Sequence, residues 1–205
     1  MTTRAEQKLR TRRALMDAAL GQLSADRGFG SLSLRAVARE AGIAPTSFYR
    51  HFAELDGLGL ALVDEGGVAL RQLMRQARER IERDGSAIST SVDTFMEYLD
   101  HNSNLFRLML RESTGVSKPF RTAIKTEIDH FVAELEADLK RIANERDHPL
   151  FEPRILAEAM VTLVFNQGAE ALDATSAEQE ILKDKLKIEL RIMLIGSRAI
   201  ADREQ

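Results

Sequence analysis

The chain has 205 residues, 44% of them hydrophobic, with 4 Pro, no Trp and no Cys. That length holds one large or two small domains with a proper core, and the absence of Cys excludes disulfides, thiolate metal sites and a Cys nucleophile together. The formal net charge of −3 hides an asymmetry: residues 1–54 carry nine Lys or Arg against five Asp or Glu, net +4, which leaves −7 for residues 55–205. Scarce Pro and few turn clusters favour an all-α protein. No apolar run approaches the length that crosses a membrane, and the amino terminus is basic and polar, unlike a signal peptide. A cytoplasmic protein without a membrane partner is therefore expected.

Taken in order, the first element is a helix whose inner face is Leu15, Ala18, Ala19 and Leu23 and which stops at Gly28. It is entered through a run in which Lys8, Arg10, Arg12 and Arg13 make four of six residues basic. Cations at a helix start oppose the macrodipole, an arrangement better understood if an external anion shares the site. A solvated arm is the plain alternative. On the first reading Thr11, Arg12 and Arg13 position the chain on a phosphate backbone without reading bases.

Residues 31–52, SLSLRAVAREAGIAPTSFYRHF, predict two short helices joined by a turn. Leu34, Val37, Ala38 and Ala41 share a face, Gly42 stands where a helix needs a left-handed stop, and Pro45 suits the first turn of a new helix. The second helix, about 45–51, turns Phe48 and Phe52 inward and leaves Thr46, Ser47, Tyr49, Arg50 and His51 outside. Hydroxyls and a guanidinium displayed in this way can reach phosphates and base edges in the DNA major groove. A helical hairpin with a polar surface is the competing reading. Ser33 and Arg35 of the preceding helix join the candidate DNA contacts.

A long helix is predicted from 55 to about 83, with Leu58, Leu62, Leu70, Leu73, Ala77 and Ile81 as main apolar positions. Gly57, Gly59, Gly66 and Gly67 interrupt its first half, each at a cost of about 1 kcal/mol relative to Ala. Close packing and a compliant connection both account for them. Asp84-Gly85-Ser86 ends this helix. Helices over 87–102, 105–110 and 120–144 follow, the last amphipathic through Ile124, Ile128, Phe131, Leu135, Leu139 and Ile142. Soft, bulky side chains on these segments, Phe95, Met96, Phe106, Met109, Phe120 and Phe131, suit either a plain core or a cavity for a flexible apolar ligand.

Glu127-x-x-His130 and Glu145-x-x-His148 match a spacing used in di-metal helical bundles. His148 precedes Pro149 and is biased out of helix. No metal, cofactor, phosphate loop or nucleophile signature is expected, and no enzyme. In the last helix, 177 to about 203, Ile181, Ile188, Ile192 and Ile195 form one stripe beside a second of Leu182, Leu186, Leu190, Met193 and Leu194. The helix before it, 153–173, carries Ile155, Leu156, Ala159, Met160, Leu163 and Val164, with Gly168, Ala169 and Ala171 permitting close approach. Surfaces this broad predict a homodimer through the last two helices, with a deeper monomer core as the alternative.

Residues 28–58 resemble the DNA-binding domain of the TetR family of bacterial repressors. The likeness is carried by Gly28-Phe29, Ser33-Leu34, Ala41-Gly42-Ile43 and Tyr49-Arg50-His51-Phe52. Two positions depart from it. Ala44 stands where the family usually caps the recognition helix with Ser or Thr, and Leu55 where it often has a phosphate-binding Lys, so that contact is not carried over. The stretches AREAGIAPTSFYRHF, RQLMRQARERI, FRLMLRES and EAMVTLVFNQGAEALD extend the resemblance to the FabR and DesT type of the family, repressors of unsaturated fatty-acid synthesis.

What the resemblance implies is a three-helix DNA-binding domain over 1–54, a connecting helix from 55, and a ligand-binding and dimerisation domain over 55–205. It implies a homodimer on a double-stranded palindromic operator, responding to long-chain acyl-CoA or acyl-carrier protein. The acyl chain is expected among the Phe and Met positions above with Met160, Val164 and Phe165 as floor, and Lys118, Arg121, Arg107 or Arg111 as candidates for the phosphates of the carrier. A TetR-type regulator of efflux or other genes, sensing an unrelated hydrophobic small molecule, would share every DNA-binding residue.

Overall fold

The computed structural model describes residues 3–84 and 87–204, and among these it is all-α, with no strand. Gly85 and Ser86, expected to break the long helix, lie outside the described residues. In chain order the helices are α1 Arg4–Gly21, α2 Leu34–Glu40, α3 Pro45–Phe48, α4 Leu55–Asp84, α5 Ala87–His101, α6 Ser103–Ser113, α7 Lys118–Glu145, α8 Pro153–Ala171 and α9 Ser176–Glu204, with a 3-10 turn at Phe29–Ser31. The chain divides into two compact units, residues 1–67 with 102–125 and residues 68–101 with 126–205. The division expected between residues 54 and 55 therefore moves into α4, and α6 with the first turns of α7 joins the amino-terminal helices.

In the first unit, α1 begins earlier than its basic run. The Thr3 N–H donates to Glu6 Oε2 at 2.8 Å and the Glu6 N–H to Thr3 Oγ1 at 3.2 Å, a capping box. Lys8 to Arg13 thus lie inside the helix, so the macrodipole argument for a bound anion there does not hold. The helix also ends at Gly21, not at Gly28. Beyond it Ser24 Oγ accepts the N–H groups of Asp26 and Arg27, at 3.3 and 3.1 Å, and bends the chain locally. Leu23 is buried all the same.

Ser33 caps α2 by accepting the Ala36 N–H at 3.1 Å. At its other end Gly42 has φ +69, the Ile43 N–H bonds to Ala38 O at 3.0 Å and the Gly42 N–H to Arg39 O at 3.1 Å. This is a Schellman stop, and a side chain at Gly42 would be strained by conformation alone.

The core of this unit is aromatic: Phe29 meets Phe120 edge-on at 5.3 Å. A Cβ on Gly59 would lie 2.5 Å from Phe120 and 2.6 Å from Phe29, and one on Gly66 would overlap Leu105. At these two positions close packing is the reason for glycine, whereas Gly57 faces open space. Asn104 Nδ2 donates to Leu20 O at 3.0 Å and the Arg111 guanidinium to Ala25 O, fastening α6 to the end of α1 and to the turn beyond it.

In the second unit α8 and α9 pack along each other and both contact α5. Gly168 brings α8 to within side-chain contact of Leu99 and Phe95, so this glycine serves packing within the chain. Val132, Ala157 and Val161 form a small core with Ile128, Phe131, Leu135, Leu139 and Phe165 against it. The α4 part of this unit is tied to α7 through charge. Arg71 pairs with Glu127 and lies 3.6 Å from Glu134, and Arg75 reaches Glu134 at 3.0 Å.

Helix α7 ends at Glu145, and beyond it the φ of 52 at Asp147 lets the His148 N–H return to Ala143 O at 3.0 Å, which takes His148 out of the helix as Pro149 requires. The following loop is held on α9: Ser197 Oγ donates to Phe151 O at 2.8 Å and the Phe151 N–H to Ser197 O at 3.3 Å. On α9 itself Leu186 and Leu190 are buried, while Ile181, Ile188, Ile192 and Ile195 are 55–67% exposed.

Candidate nucleic-acid interface and apolar cavity

The α2–turn–α3 segment displays the side chains that its sequence led one to expect. Phe48 and Phe52 are buried and stack at 5.7 Å, which fixes the roll of the segment. Tyr49 is 62% exposed, and Thr46 and Arg50 are exposed, while Ser47 and His51 are half-buried. Helical geometry ends at Phe48, earlier than the expected 51, and a further turn follows through Arg50 N–H to Ser47 O at 3.1 Å and His51 N–H to Phe48 O at 2.8 Å.

The Ala44 cap makes no side-chain hydrogen bond although its φ −65 and ψ 139 are those of a capping residue. Ala44→Ser is accordingly expected to stabilise the chain by about 1 kcal/mol. That corresponds to a rise of about 2–4 °C in the melting temperature, read by calorimetry.

The basic run of α1 is partly committed within the protein. Arg12 lies over the Phe52 ring, 4.2 Å from its centroid, and donates to His51 O at 3.3 Å. Arg13 pairs with Asp17 at 2.9 Å and Glu65 at 3.5 Å, and Thr11 Oγ1 donates to Gln7 O at 3.0 Å. Arg12 therefore braces the end of the recognition segment. Lys8, Arg10, Ser33, Arg35 and Arg50 present exposed polar groups on this unit. Burial, then the charges of Lys8, Arg12 and Arg50, hold the His51 imidazole below its ordinary pKa, so it is neutral at neutral pH without a phosphate nearby.

The second unit contains a cavity of about 250 Å³. Five of the nine pocket positions expected from sequence line it: Phe95, Phe131, Met160, Val164 and Phe165. Phe131 and Phe165 meet at 5.8 Å, and Phe95 and Phe165 at 6.0 Å. Met96 is buried in the same unit but is not among the lining residues. Phe106, Met109 and Phe120 are corrected to core residues of the first unit, where Phe120 packs on Phe29.

The basic residues considered for a head group, Lys118, Arg121, Arg107 and Arg111, also belong to the first unit. Arg121 there donates to Gly115 O at 2.6 Å and Val116 O at 2.8 Å. The charged residues that line the cavity are instead Asp138, Arg141, Glu145, Arg146 and Arg198. Sequence reading missed them, although Leu190, Leu194 and Arg198 at i, i+4 and i+8 share one face of α9. Glu127, a metal candidate by spacing, is the partner of Arg71, with His130 Nδ1 3.5 Å away.

A family model described as "Bacterial regulatory proteins, tetR family" matches residues 15–62, and one described as "Tetracyclin repressor-like, C-terminal domain" matches residues 85–193. Among solved structures, the chain is similar to a transcriptional regulator from Rhodococcus sp. Rha1, with a TM-score of 0.69 and 20% identity over 93% of this chain and 97% of that one. The transcriptional regulator FadR from Bacillus subtilis, solved in complex with stearoyl-CoA, matches with a TM-score of 0.70 at 14% identity, over 89% of this chain and 97% of that one. The fatty acid degradation regulator FadR from Bacillus halodurans matches with a TM-score of 0.67 at 15% identity, over 90% and 94%. At these identities the structures establish the fold alone.

Proposed function

Because the chain belongs to the TetR family of bacterial transcriptional regulators, we propose that it represses genes of fatty-acid, in particular unsaturated fatty-acid, metabolism, releasing or holding a palindromic operator according to the long-chain acyl-CoA or acyl-carrier protein it binds. DNA binding, dimerisation and control of transcription come with the family. The operator is read by Tyr49, Arg50, Thr46 and Ser47, with Lys8, Arg10, Ser33 and Arg35 toward the phosphates. The observation that carries this is the exposure of Tyr49 and Arg50 on a segment whose Phe48 and Phe52 are buried. Tyr49 meets the Phe48 ring edge-on at 6.0 Å yet stays largely exposed, so burial does not account for an outward tyrosine beside an outward arginine.

A single segment of this size covers too little DNA to be specific. Two copies on a two-fold axis read half-sites about one helical turn apart, ~34 Å. The exposed isoleucines of α9, with Ile155 of α8, supply the surface on which the copies pair.

The acyl class of effector is supported by the cavity between Phe95, Phe131, Met160 and Phe165 and by the stearoyl-CoA complex of the similar Bacillus subtilis regulator. Only a ligand that binds two conformations unequally can act as a switch, and a cis double bond changes the shape that the Phe and Met side chains must accommodate. A gel shift with a palindromic fragment from the chain's own promoter region tests the reading. The purified protein is expected to bind at low salt, and Tyr49→Ala with Arg50→Ala to bind at least about tenfold more weakly. Saturated and unsaturated acyl-CoA should change the affinity unequally; equal indifference to both would favour a sensor of an unrelated hydrophobic molecule.

A further inference from the structure

The cavity of the second unit is graded along its length. Helix α7 lines it from Phe131 to Glu145, a stretch of about 21 Å at 1.5 Å per residue. An acyl chain occupies roughly 15 Å, half the hydrocarbon thickness of a bilayer. One end is aromatic, where Phe95, Phe131 and Phe165 meet. Toward the other end every ionisable lining residue among those described is collected: Asp138, Arg141 and Glu145 on α7, Arg146 just past its end, and Arg198 on α9. The paired hydrogen bonds between Phe151 and Ser197 hold the loop that follows α7 against α9 next to Arg198.

Three cations face two anions there, and the anions are occupied. Arg141 takes Asp138 at 3.5 Å and Glu145 at 3.2 Å. Arg198 is different: its Nε is buried and finds no acceptor among the described residues. A buried donor left without a partner is costly, and a turn of the Arg198 side chain toward the cavity it lines would let a ligand oxygen remove the deficit. A lipophilic cation would meet an excess of positive charge at the same place and could offer Nε nothing.

Building on the acyl reading above, we infer that Arg198 is the polar anchor of this cavity, donating to the carbonyl or carboxylate oxygen of a fatty acyl ligand whose chain lies among Phe95, Phe131 and Phe165. The site thereby selects amphiphiles that end in an acceptor oxygen and discriminates against lipophilic cations. The oxygen can come from a free fatty acid or from a thioester, and the two sources are distinguished by experiment.

The test is calorimetric titration of the full chain with palmitate, palmitoyl-CoA and dequalinium, a lipophilic dication. Wild-type protein is expected to bind at least one of the two acyl probes, and more tightly than dequalinium. Arg198→Met, which keeps the length of the side chain, should weaken the bound acyl probe by about tenfold or more. Arg198→Lys should recover part of that loss, which a purely structural role of the arginine would not produce. If Arg198→Met, with helicity unchanged by circular dichroism, binds the acyl probes like wild type, the anchor is wrong and the acyl reading stands. If neither acyl probe binds wild type, or dequalinium binds more tightly than both, the anchor and the acyl reading fall together.

Discussion

Arg71→Ala is expected to destabilise the second unit by about 3–5 kcal/mol, measured by denaturant or thermal unfolding. The size of the effect follows from what is left behind. Glu127 and Arg71 are both largely withdrawn from water, with 6% and 13% of their side chains exposed. Removing the guanidinium leaves a buried carboxylate with the half-exposed His130 beside it at 3.5 Å. The same guanidinium lies 3.6 Å from Glu134 and 5.9 Å from the centre of the Phe131 ring, so one substitution removes a second charge contact and packing as well.

Replacing both members of the pair, Arg71→Met with Glu127→Leu, should in contrast come close to wild-type stability or exceed it, since the desolvation of two charges disappears with their attraction. A double variant as unstable as Arg71→Ala would show that the pair contributes through packing rather than through uncompensated charge. Because Phe131 also lines the cavity, the pair joins a cavity-lining ring to α4, and its disturbance belongs among the effects to follow when acyl-CoA is titrated.

Where the sequence was sufficient, the information was local. Periodicity placed the long helices to within a few residues, and Gly42 and Pro45 marked the turn because a left-handed stop and a helix start each require particular residue types. The start of α1 was also written locally, as Thr3-x-x-Glu6 ahead of the basic run. Its end was not, because Ser24 closes a turn of its own that helical periodicity does not register.

The assignment of α6 was beyond local reading altogether. Phe106, Met109 and Phe120 are apolar enough to belong to either core, and what decides between them is a set of contacts across more than eighty residues of chain, such as Asn104 with Leu20 O. Hydrophobicity says that a side chain is inside without saying inside what. The charged end of the cavity was hidden for the opposite reason, since an arginine on a helix is most often a solvated one, and only the burial of Arg198 Nε distinguishes it.

Ile188→Glu with Ile192→Glu is expected to convert the homodimer into a monomer and, with it, to abolish binding to the palindromic operator at concentrations where wild type saturates it. Ile188 and Ile192 are 58% and 63% exposed, so the protomer has no need of them for its own core and should keep its helicity. On a two-fold face each substitution counts twice. Withdrawing four isoleucines from the interface forfeits about 1.5–3 kcal/mol apiece, before the cost of bringing like charges together across the axis. At about 1.4 kcal/mol per tenfold, that exceeds what micromolar protein can compensate.

The same change made at the buried stripe, Leu186→Glu, should instead unfold the second unit, because Leu186 is fully buried within the protomer. The contrast between the two stripes is what sedimentation and circular dichroism together resolve. If Ile188→Glu with Ile192→Glu sediments as a dimer, the copies pair elsewhere, and the exposed isoleucines of α9 require a different partner. If it sediments as a folded monomer that still binds the operator with wild-type affinity, the recognition segment reads DNA without a twin, and the palindrome is not what sets its specificity.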